Sequence, residues 1–285
     1  MPLDGIATVK ADAAAPAYPR DQRTKESNMT STTHPQAAAP AASTSLAGKT
    51  VVVVGGKSGI GFGVAQAARA AGATAVVASR RLSSPQERPD LAGFQQVSLD
   101  IRDESSVRAA FDAIGVFDHL VVTAAPDLGT WGAFMDADMS GARSYMEGKY
   151  LGSWACARHG SPHLNAGGTI TFLTGGMAVR PKVGFTAVTS AFAAVEALSG
   201  SLAIELAPTR VNTIRPGFID TDMWAFLPAE HRDGLRKKVE ETFPARRAGK
   251  PEDVGHAAVF LMTNPYVTGT VLEVAGGENL VASVS

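Results

Sequence analysis

A run of seven residues, Gly55-Gly56-Lys57-Ser58-Gly59-Ile60-Gly61, has the composition of a phosphate-binding turn. It follows a β-branched segment, residues 50–54, and precedes an alanine-rich segment, which places it between a strand and a helix. Glycines let the backbone turn tightly and approach a diphosphate closely, and a helix N-terminus adds amide donors and a positive dipole. The sequence therefore predicts a dinucleotide-binding turn; the alternative is a tight turn that holds no ligand.

Two arginines follow the next predicted strand, in Ala78-Ser79-Arg80-Arg81. A carboxylate at this place would accept hydrogen bonds from the ribose hydroxyls of NAD. Arginine instead donates a forked pair of hydrogen bonds to a phosphate. Lys57 and Ser58, in the glycine turn, can reach the same phosphate. We therefore expect a dinucleotide with a 2′-phosphate, unless Arg80 and Arg81 are only a solvated pair in a loop.

The remaining polar residues exclude several classes of function. His159 and His163 have the spacing of a metal-binding pair, but no carboxylate or cysteine completes a site, so no metal is expected. The formal net charge is −1 without a basic block, which argues against nucleic-acid binding. The single cysteine, Cys156, cannot form an internal disulfide, and no run approaches the roughly 18 apolar residues of a membrane span. We expect a cytoplasmic protein that binds no membrane.

Short apolar segments alternate with helical patterns from residue 46 onward. Such alternation predicts an α/β fold: a Rossmann-like, doubly wound parallel sheet with helices on both faces, in a single domain. The predicted strands are residues 50–54, 75–78, 94–99, 119–123, 169–174, 210–214 and 270–274. The predicted helices are residues 59–71, 104–114, 138–163, 185–206 and 252–262.

The first 45 residues differ in composition from the rest. They are rich in Ala, Pro, Ser and Thr and show no helical or strand period, so residues 1–45 are predicted to be a disordered leader before a domain of residues 46–285. They lack the apolar core of a signal peptide, and their acidic residues argue against a transit peptide. The alternative is that translation begins at Met29.

Several spaced motifs resemble those of the short-chain dehydrogenase/reductase family over residues 48–280. Gly55-x-x-x-Gly59-Ile60-Gly61 looks like the family's glycine motif, with Val54 where a threonine is usual. Leu99-Asp100 resembles its adenine-contacting pair, and residues 216–221, Pro-Gly-Phe-Ile-Asp-Thr, resemble its segment beside the nicotinamide. The resemblance and the two arginines imply NADP as the cofactor. The expected cofactor-binding residues are Gly55, Lys57, Ser58, Gly59, Ile60, Gly61, Ser79, Arg80, Arg81, Asp100, Ile101, Thr123, Ala124, Ala125, Pro216, Gly217, Ile219 and Thr221.

The catalytic positions depart from the family pattern. The family uses an asparagine, a serine and a Tyr-x-x-x-Lys pair, and aligned on residues 195–198 the pair falls on Val188 and Phe192. Neither side chain can move a proton. In the serine region only Thr174 offers a hydroxyl, and the helix asparagine position is Lys149.

These coordinated losses suggest a rearranged site. By the resemblance, Lys149 lies near the space of the missing family lysine, so Lys149 and Thr174 are the predicted catalytic residues. Lys149 would supply a positive charge or a proton, and Thr174 a hydrogen bond. A solvated helix lysine and an ordinary strand threonine are the alternatives. Tyr145 lies one helical turn before Lys149, but we interpret it as an ordinary half-buried aromatic.

The leading functional hypothesis is an NADP-dependent oxidoreductase that acts on a carbonyl or alcohol. Aromatic residues in the segments that line the family's substrate cleft suggest an apolar small-molecule substrate; they are Trp131, Phe185, Trp224 and Phe226. Helix 185–206 is apolar on more than one face, which predicts a homodimer or homotetramer. The alternatives are a redox-inactive dinucleotide- or ligand-binding protein and a non-redox lyase or isomerase on the same fold.

Overall fold

Seven strands and seven α-helices make up the folded chain, whose computed structural model describes residues 44–126 and 132–281. The strands are β1 Thr50–Val54, β2 Thr74–Ser79, β3 Gln95–Ser98, β4 Phe117–Val122, β5 Leu164–Leu173, β6 Arg210–Pro216 and β7 Val271–Val274. The helices are α1 Gly59–Ala70, α2 Glu104–Ile114, α3 Met139–Met146, α4 Gly152–Gly160, α5 Thr186–Glu205, α6 Ala229–Thr242 and α7 Pro251–Thr263. A π-helical turn, Glu147–Leu151, joins α3 to α4 without a break.

The strands form one parallel sheet in the order β3-β2-β1-β4-β5-β6-β7. All six strand pairs run parallel, which requires a crossover connection between each pair of consecutive strands. The strand order reverses between β1 and β4, and ligands of such sheets bind in the crevice at this point, beyond the carboxyl ends of the strands. The predicted doubly wound α/β fold is confirmed.

The central strand β1 is covered on both faces of the sheet, because four of its five residues are valines. In β1, Val51 and Val53 pack with α1 and α7 on one face. Val52 and Val54 point to the other face, where Phe111 of α2 belongs to the same cluster. All four valines are at most 1% exposed. Because β1 is buried on both faces, its sequence is an unbroken run of β-branched residues.

Most element bounds lie within three residues of the sequence prediction, but β5 and α6 differ from it more strongly. β5 begins at Leu164, five residues before the predicted start, because Asn165 Nδ2 donates to Asp118 Oδ1 at 3.1 Å and ties this polar stretch to β4. Helix α6 was not predicted, since its sequence, AEHRDGLRKKVEET, carries one buried residue, Val239.

Leu46 is 2% exposed and donates its N–H to Ala71 O at 2.7 Å, so the packed structure already includes this residue. The predicted leader lies, apart from residues 44 and 45, outside the described part.

Helix α5 presents a different surface from the one expected. Its large apolar residues Phe192, Val195 and Leu198 are buried, whereas its exposed positions are small, apart from Glu205 and from Ile204 at 80% exposure. The helix is long and apolar enough to cross a membrane by composition alone, with a mean hydropathy of 1.5, a property that core helices share. Two of the other large apolar side chains that are exposed, Leu151 and Trp154, lie on the π turn and α4.

Candidate active site

One cleft of about 1810 Å³ runs along the carboxyl edge of the sheet. The loops after β1, β2, β3, β4, β5 and β6 form its walls, as the reversal of strand order between β1 and β4 requires. Every predicted site residue lines this cleft: Gly55, Lys57, Ser58, Gly59, Ile60, Gly61, Ser79, Arg80, Arg81, Asp100, Ile101, Thr123, Ala124, Ala125, Lys149, Thr174, Pro216, Gly217, Ile219 and Thr221.

The turn between β1 and α1 is shaped to hold a diphosphate. A Cβ atom on Gly61 would lie 2.2 Å from Gly55 O, so only glycine allows the turn to fold this tightly. Helix α1 begins at Gly59, the side chain of its N-cap residue Ser58 makes no capping hydrogen bond, and its first turn carries no acidic residue. The amide groups and positive dipole of this helix end are therefore available to an anion.

Basic residues lie beside this turn, at the end of β2. Arg80 and Arg81 are exposed, and Arg81 O accepts hydrogen bonds from Lys57 Nζ at 3.2 Å and Ser79 Oγ at 2.9 Å. These bonds hold the arginine loop against the glycine turn. The residues thus fit a dinucleotide whose diphosphate lies at α1 and whose 2′-phosphate lies near the arginines.

Lys149 lies in the π-helical turn and is 1% exposed. Its Nζ donates to Ala124 O at 3.1 Å and lies 5.8 Å from the centre of the Phe192 ring. No carboxylate of the described residues pairs with this amine. Burial among apolar groups disfavours the charged form and lowers the pKa of Lys149 to about 7.

The backbone around Lys149 explains how the amine reaches the cleft. A Cβ atom on Gly148 would lie 2.6 Å from Pro126 Cγ, so a side chain at this position would push the helix away from the loop after β4. π-helical turns often occur at functional sites, because they change the direction of one side chain within an otherwise regular helix. Here the turn and Gly148 bring Lys149 to the carbonyl of Ala124.

Val188 and Phe192, on α5, contribute an apolar surface behind Lys149. Val188 is fully buried, and Phe192, which lines the cleft, is 8% exposed. Both pack in a cluster with Tyr145 and Ala191. The Tyr145 ring meets the Phe192 ring edge-on, with 6.5 Å between the ring centres.

Thr174 belongs to a charged network that the sequence analysis missed. Its Oγ1 donates to Glu196 Oε1 at 2.9 Å, and the same carboxylate forms a two-pronged pair with Arg215, at 2.9 and 2.6 Å. Arg215 also donates to Glu273 Oε1 at 2.7 Å. The two carboxylates raise the pKa of the Arg215 guanidinium. The sequence did contain a signal for this network: a charged residue stands within each of two otherwise apolar segments, Glu196 in α5 and Arg215 in β6.

Two of the four aromatic residues that were expected in the cleft are found there. Phe185 and Trp224 both line it. Trp224 stacks on Phe218 with 5.2 Å between ring centres and donates its Nε1 hydrogen to Ile219 O at 2.9 Å. Trp131 and the side chain of Phe226, also expected here, lie outside the described part.

The histidine pair on the α4 side takes part in contacts with α2. His159 Nε2 lies 2.8 Å from Glu104 Oε1, and His163 Nε2 lies 3.5 Å from Asp112 Oδ1. Across the described ranges, no three His, Cys, Asp or Glu side chains are grouped so that they could hold a metal ion.

The fold and the glycine-lined cleft define a dinucleotide-binding α/β protein, and comparison with known proteins gives the family. Residues 54–279 match the family model described as enoyl-(acyl carrier protein) reductase. The chain belongs to the short-chain dehydrogenase/reductase family, whose members bind nicotinamide dinucleotides.

Among its relatives is the short-chain dehydrogenase/reductase ucsE of Acremonium, 32% identical over 82% of this chain and 96% of that protein. The mouse 3-oxoacyl-[acyl-carrier-protein] reductase is 30% identical over 81% of this chain and 98% of that protein. A crystal structure of a small-chain dehydrogenase in complex with NADPH is similar with a TM-score of 0.72 and 34% identity, over 81% of this chain and 99% of that chain.

Proposed function

We propose that this protein is an NADP(H)-dependent oxidoreductase that interconverts a carbonyl and an alcohol, with Lys149 in place of the family's tyrosine–lysine pair. The alignment in the sequence analysis puts that pair at Val188 and Phe192, and neither side chain carries a group that can bind or release a proton. The observation that carries the proposal is the buried amine of Lys149, which lies on the wall of the cofactor cleft and pairs with no carboxylate in the described part of the chain.

The cofactor assignment rests on two features of this chain and on one relative. The glycine turn at α1 suits a diphosphate, and Arg80 and Arg81 occupy the place where a carboxylate would select NAD. The similar small-chain dehydrogenase was solved with NADPH. When bound, the nicotinamide ring supplies the hydride for carbonyl reduction or accepts it in alcohol oxidation.

Lys149 is suited both to transfer a proton to the substrate oxygen and to stabilise negative charge on it. With a pKa of about 7, the amine can give a proton to the oxygen of a carbonyl as that carbon gains a hydride, and it can recover a proton from solvent near neutral pH. While protonated, it also stabilises negative charge on the substrate oxygen, and this attraction is strong where water is excluded. In alcohol oxidation the neutral amine accepts the hydroxyl proton.

Thr174 plays a positioning role in this scheme. A carboxylate only accepts hydrogen bonds, so the Thr174 hydroxyl donates its hydrogen to Glu196 and keeps lone pairs for other donors. It can therefore accept a hydrogen bond from an alcohol hydroxyl but has no second hydrogen to donate to an alkoxide. Phe185 and Trp224 give the substrate end an apolar surface, which favours an apolar small molecule.

The experiment measures NADPH oxidation at the absorbance band of the reduced nicotinamide, with a panel of apolar aldehydes and ketones. Lys149→Met should lower turnover by about 100-fold or more, the scale of general acid catalysis. Its affinity for NADPH, measured by calorimetry, should stay unchanged. Lys237→Met, at a position 77% exposed on α6, is the control for loss of a lysine.

Two results would speak against the proposal. Unchanged turnover in Lys149→Met, with NADPH still bound, would show that Lys149 is not the proton-transferring group. If the parent protein binds NADPH but reduces nothing in the panel and oxidises none of the matching alcohols, a redox-inactive binding protein or a non-redox lyase or isomerase becomes the better interpretation.

We also propose a homodimer or homotetramer as the assembly. Leu151 and Trp154 are 53% and 47% exposed on neighbouring turns of one helix, and Ile204 is 80% exposed at the end of α5. Burying such side chains between subunits stabilises an assembly, since apolar area leaves water. Light scattering at micromolar concentration should give a mass of two or four chains; a monomer mass would contradict this.

A further inference from the structure

Tyr145, in the wall of the active-site cleft, carries a hydroxyl that pairs with none of the residues that the structure describes. The residue is 1% exposed, and its Oη is buried. Buried tyrosines usually find a partner for this group, because leaving a buried polar group unpaired destabilises the folded protein. Because Tyr145 is among the residues that line the cleft, a ligand bound there can supply the missing partner.

Tyr145 and Lys149 flank the same aromatic ring. Tyr145 lies at the end of α3, four residues before Lys149 in the π turn. Its ring meets the Phe192 ring edge-on, and the Lys149 amine lies over that ring. Both residues also line the cleft. From the sequence alone Tyr145 is an ordinary half-buried aromatic, because the lack of a hydrogen-bond partner cannot be seen in a sequence.

We propose that Tyr145 is a second catalytic residue, whose hydroxyl donates a hydrogen bond to the carbonyl oxygen of the substrate while Lys149 supplies the proton. This inference rests on the function proposed above. It assigns hydrogen-bond donation to Tyr145 and proton transfer to Lys149. As the carbonyl carbon gains a hydride, its oxygen gains the Lys149 proton and becomes a hydroxyl. Tyr145 keeps its own proton throughout.

The surroundings of Tyr145 favour its role as a hydrogen-bond donor that keeps its proton. Burial raises the pKa of the phenol above its ordinary value, so the group stays protonated near neutral pH. A neutral phenol in a water-poor wall is a fixed donor, and such donors stabilise developing negative charge on oxygen. Lys149, in contrast, changes its protonation state near pH 7 and can therefore transfer a proton.

Tyr145→Phe tests the proposal, because phenylalanine keeps the ring packing against Phe192 and removes only the hydroxyl. Turnover of any carbonyl accepted by the parent protein should fall by about 100–1000-fold, the effect of removing one oxyanion donor. Affinity for NADPH should not change. Tyr150→Phe is the matched control, since Tyr150 is on the same helix, packs on Trp154 and does not line the cleft.

A binding measurement provides a readout that does not depend on turnover. The chain has four tyrosines, so a sample labelled with ¹³C at tyrosine Cζ gives four resonances, and Tyr145→Phe identifies one of them. The probes are unreactive apolar amides such as benzamide, which present a carbonyl oxygen. Added together with NADPH, they should shift the Tyr145 resonance. They should also bind more weakly to Tyr145→Phe than to the parent protein.

The outcomes separate the two proposals. Wild-type turnover in Tyr145→Phe would overturn the role of Tyr145 and leave the oxidoreductase proposal intact. A parent protein that reduces no carbonyl refutes the oxidoreductase function, and the amide titration then decides on Tyr145 alone. A Tyr145 resonance that none of the amides moves would overturn the inference in either case.

Discussion

Removing the buried amine of Lys149 should change how the stability of the protein depends on pH. The substitution is Lys149→Met, which keeps the length and apolar stem of the side chain. In the folded protein the pKa of Lys149 is about 7, against 10.5 for an exposed lysine. At about 1.4 kcal/mol per pH unit, this difference means that the buried ammonium costs roughly 5 kcal/mol of stability.

The sign of the effect follows from the two pKa values. Below pH 7 the lysine is charged in both the folded and the unfolded chain, so the full cost is present. Between pH 7 and 10.5 only the unfolded chain holds the proton, and the wild type therefore gains about 1.4 kcal/mol of stability per pH unit relative to the variant. Methionine has no charge to bury, but it loses the hydrogen bond to Ala124 O, about 1 kcal/mol. At pH 6 the variant should thus be more stable by roughly 4 kcal/mol.

Urea unfolding followed by tryptophan fluorescence at pH 6, 7.5 and 9 measures this difference. The advantage of Lys149→Met should be largest at pH 6 and shrink steadily at the two higher values. Lys237→Met, at an exposed position, should follow the wild type at all three. Stability curves for Lys149→Met and wild type that run parallel across this range would refute the reasoning, because they would show that the folded protein holds Lys149 charged like an ordinary lysine.

Three further predictions concern the cofactor turn and the charged network. Arg80→Ala should weaken NADP(H) binding by about 1.5–3 kcal/mol, the strength of a charge-assisted hydrogen bond, and leave NAD(H) binding unchanged; calorimetry that finds equal losses for both would contradict it. Gly61→Ala brings a Cβ atom to 2.2 Å from Gly55 O, so it should cost about 1–3 kcal/mol of stability and weaken NADP(H) binding; an unchanged melting temperature with full binding would argue against the steric explanation. Glu196→Gln removes the charge that faces Arg215 in a network only 13% exposed at both side chains, and should cost a few kcal/mol in urea unfolding; an unchanged midpoint would show that Glu273 alone compensates the guanidinium.

The parts of the site that depend on local chain geometry could be predicted from the sequence. The glycine turn is one continuous segment between a strand and a helix, so residue order alone determines its shape. The same holds for the arginines at the end of β2, since parallel strands bring their carboxyl ends to one edge. Lys149 was placed in the cleft through the resemblance to the family, and the structure puts it there through the approach of Gly148 to Pro126.

The parts that depend on packing between distant segments could not be predicted. Thr174, Glu196 and Arg215 come together only when α5 packs on β5 and β6, and no sequence spacing encodes this contact. The missing partner of the Tyr145 hydroxyl is likewise a property of everything that surrounds it. The polar helix α6 was not predicted, because a helix with a single buried residue shows no amphipathic pattern in its sequence.

The π turn at Glu147–Leu151 also has a consequence for how this protein can change. A π turn corresponds to one extra residue within a helix, so a single codon gained or lost can create or remove it. Deleting one residue there would restore an α-helix and rotate the side chains on one side of the turn relative to the other by about 100°. The direction of the Lys149 amine can therefore be altered by a one-codon event that leaves all seven strands intact, and active-site chemistry can diverge without any redesign of the sheet.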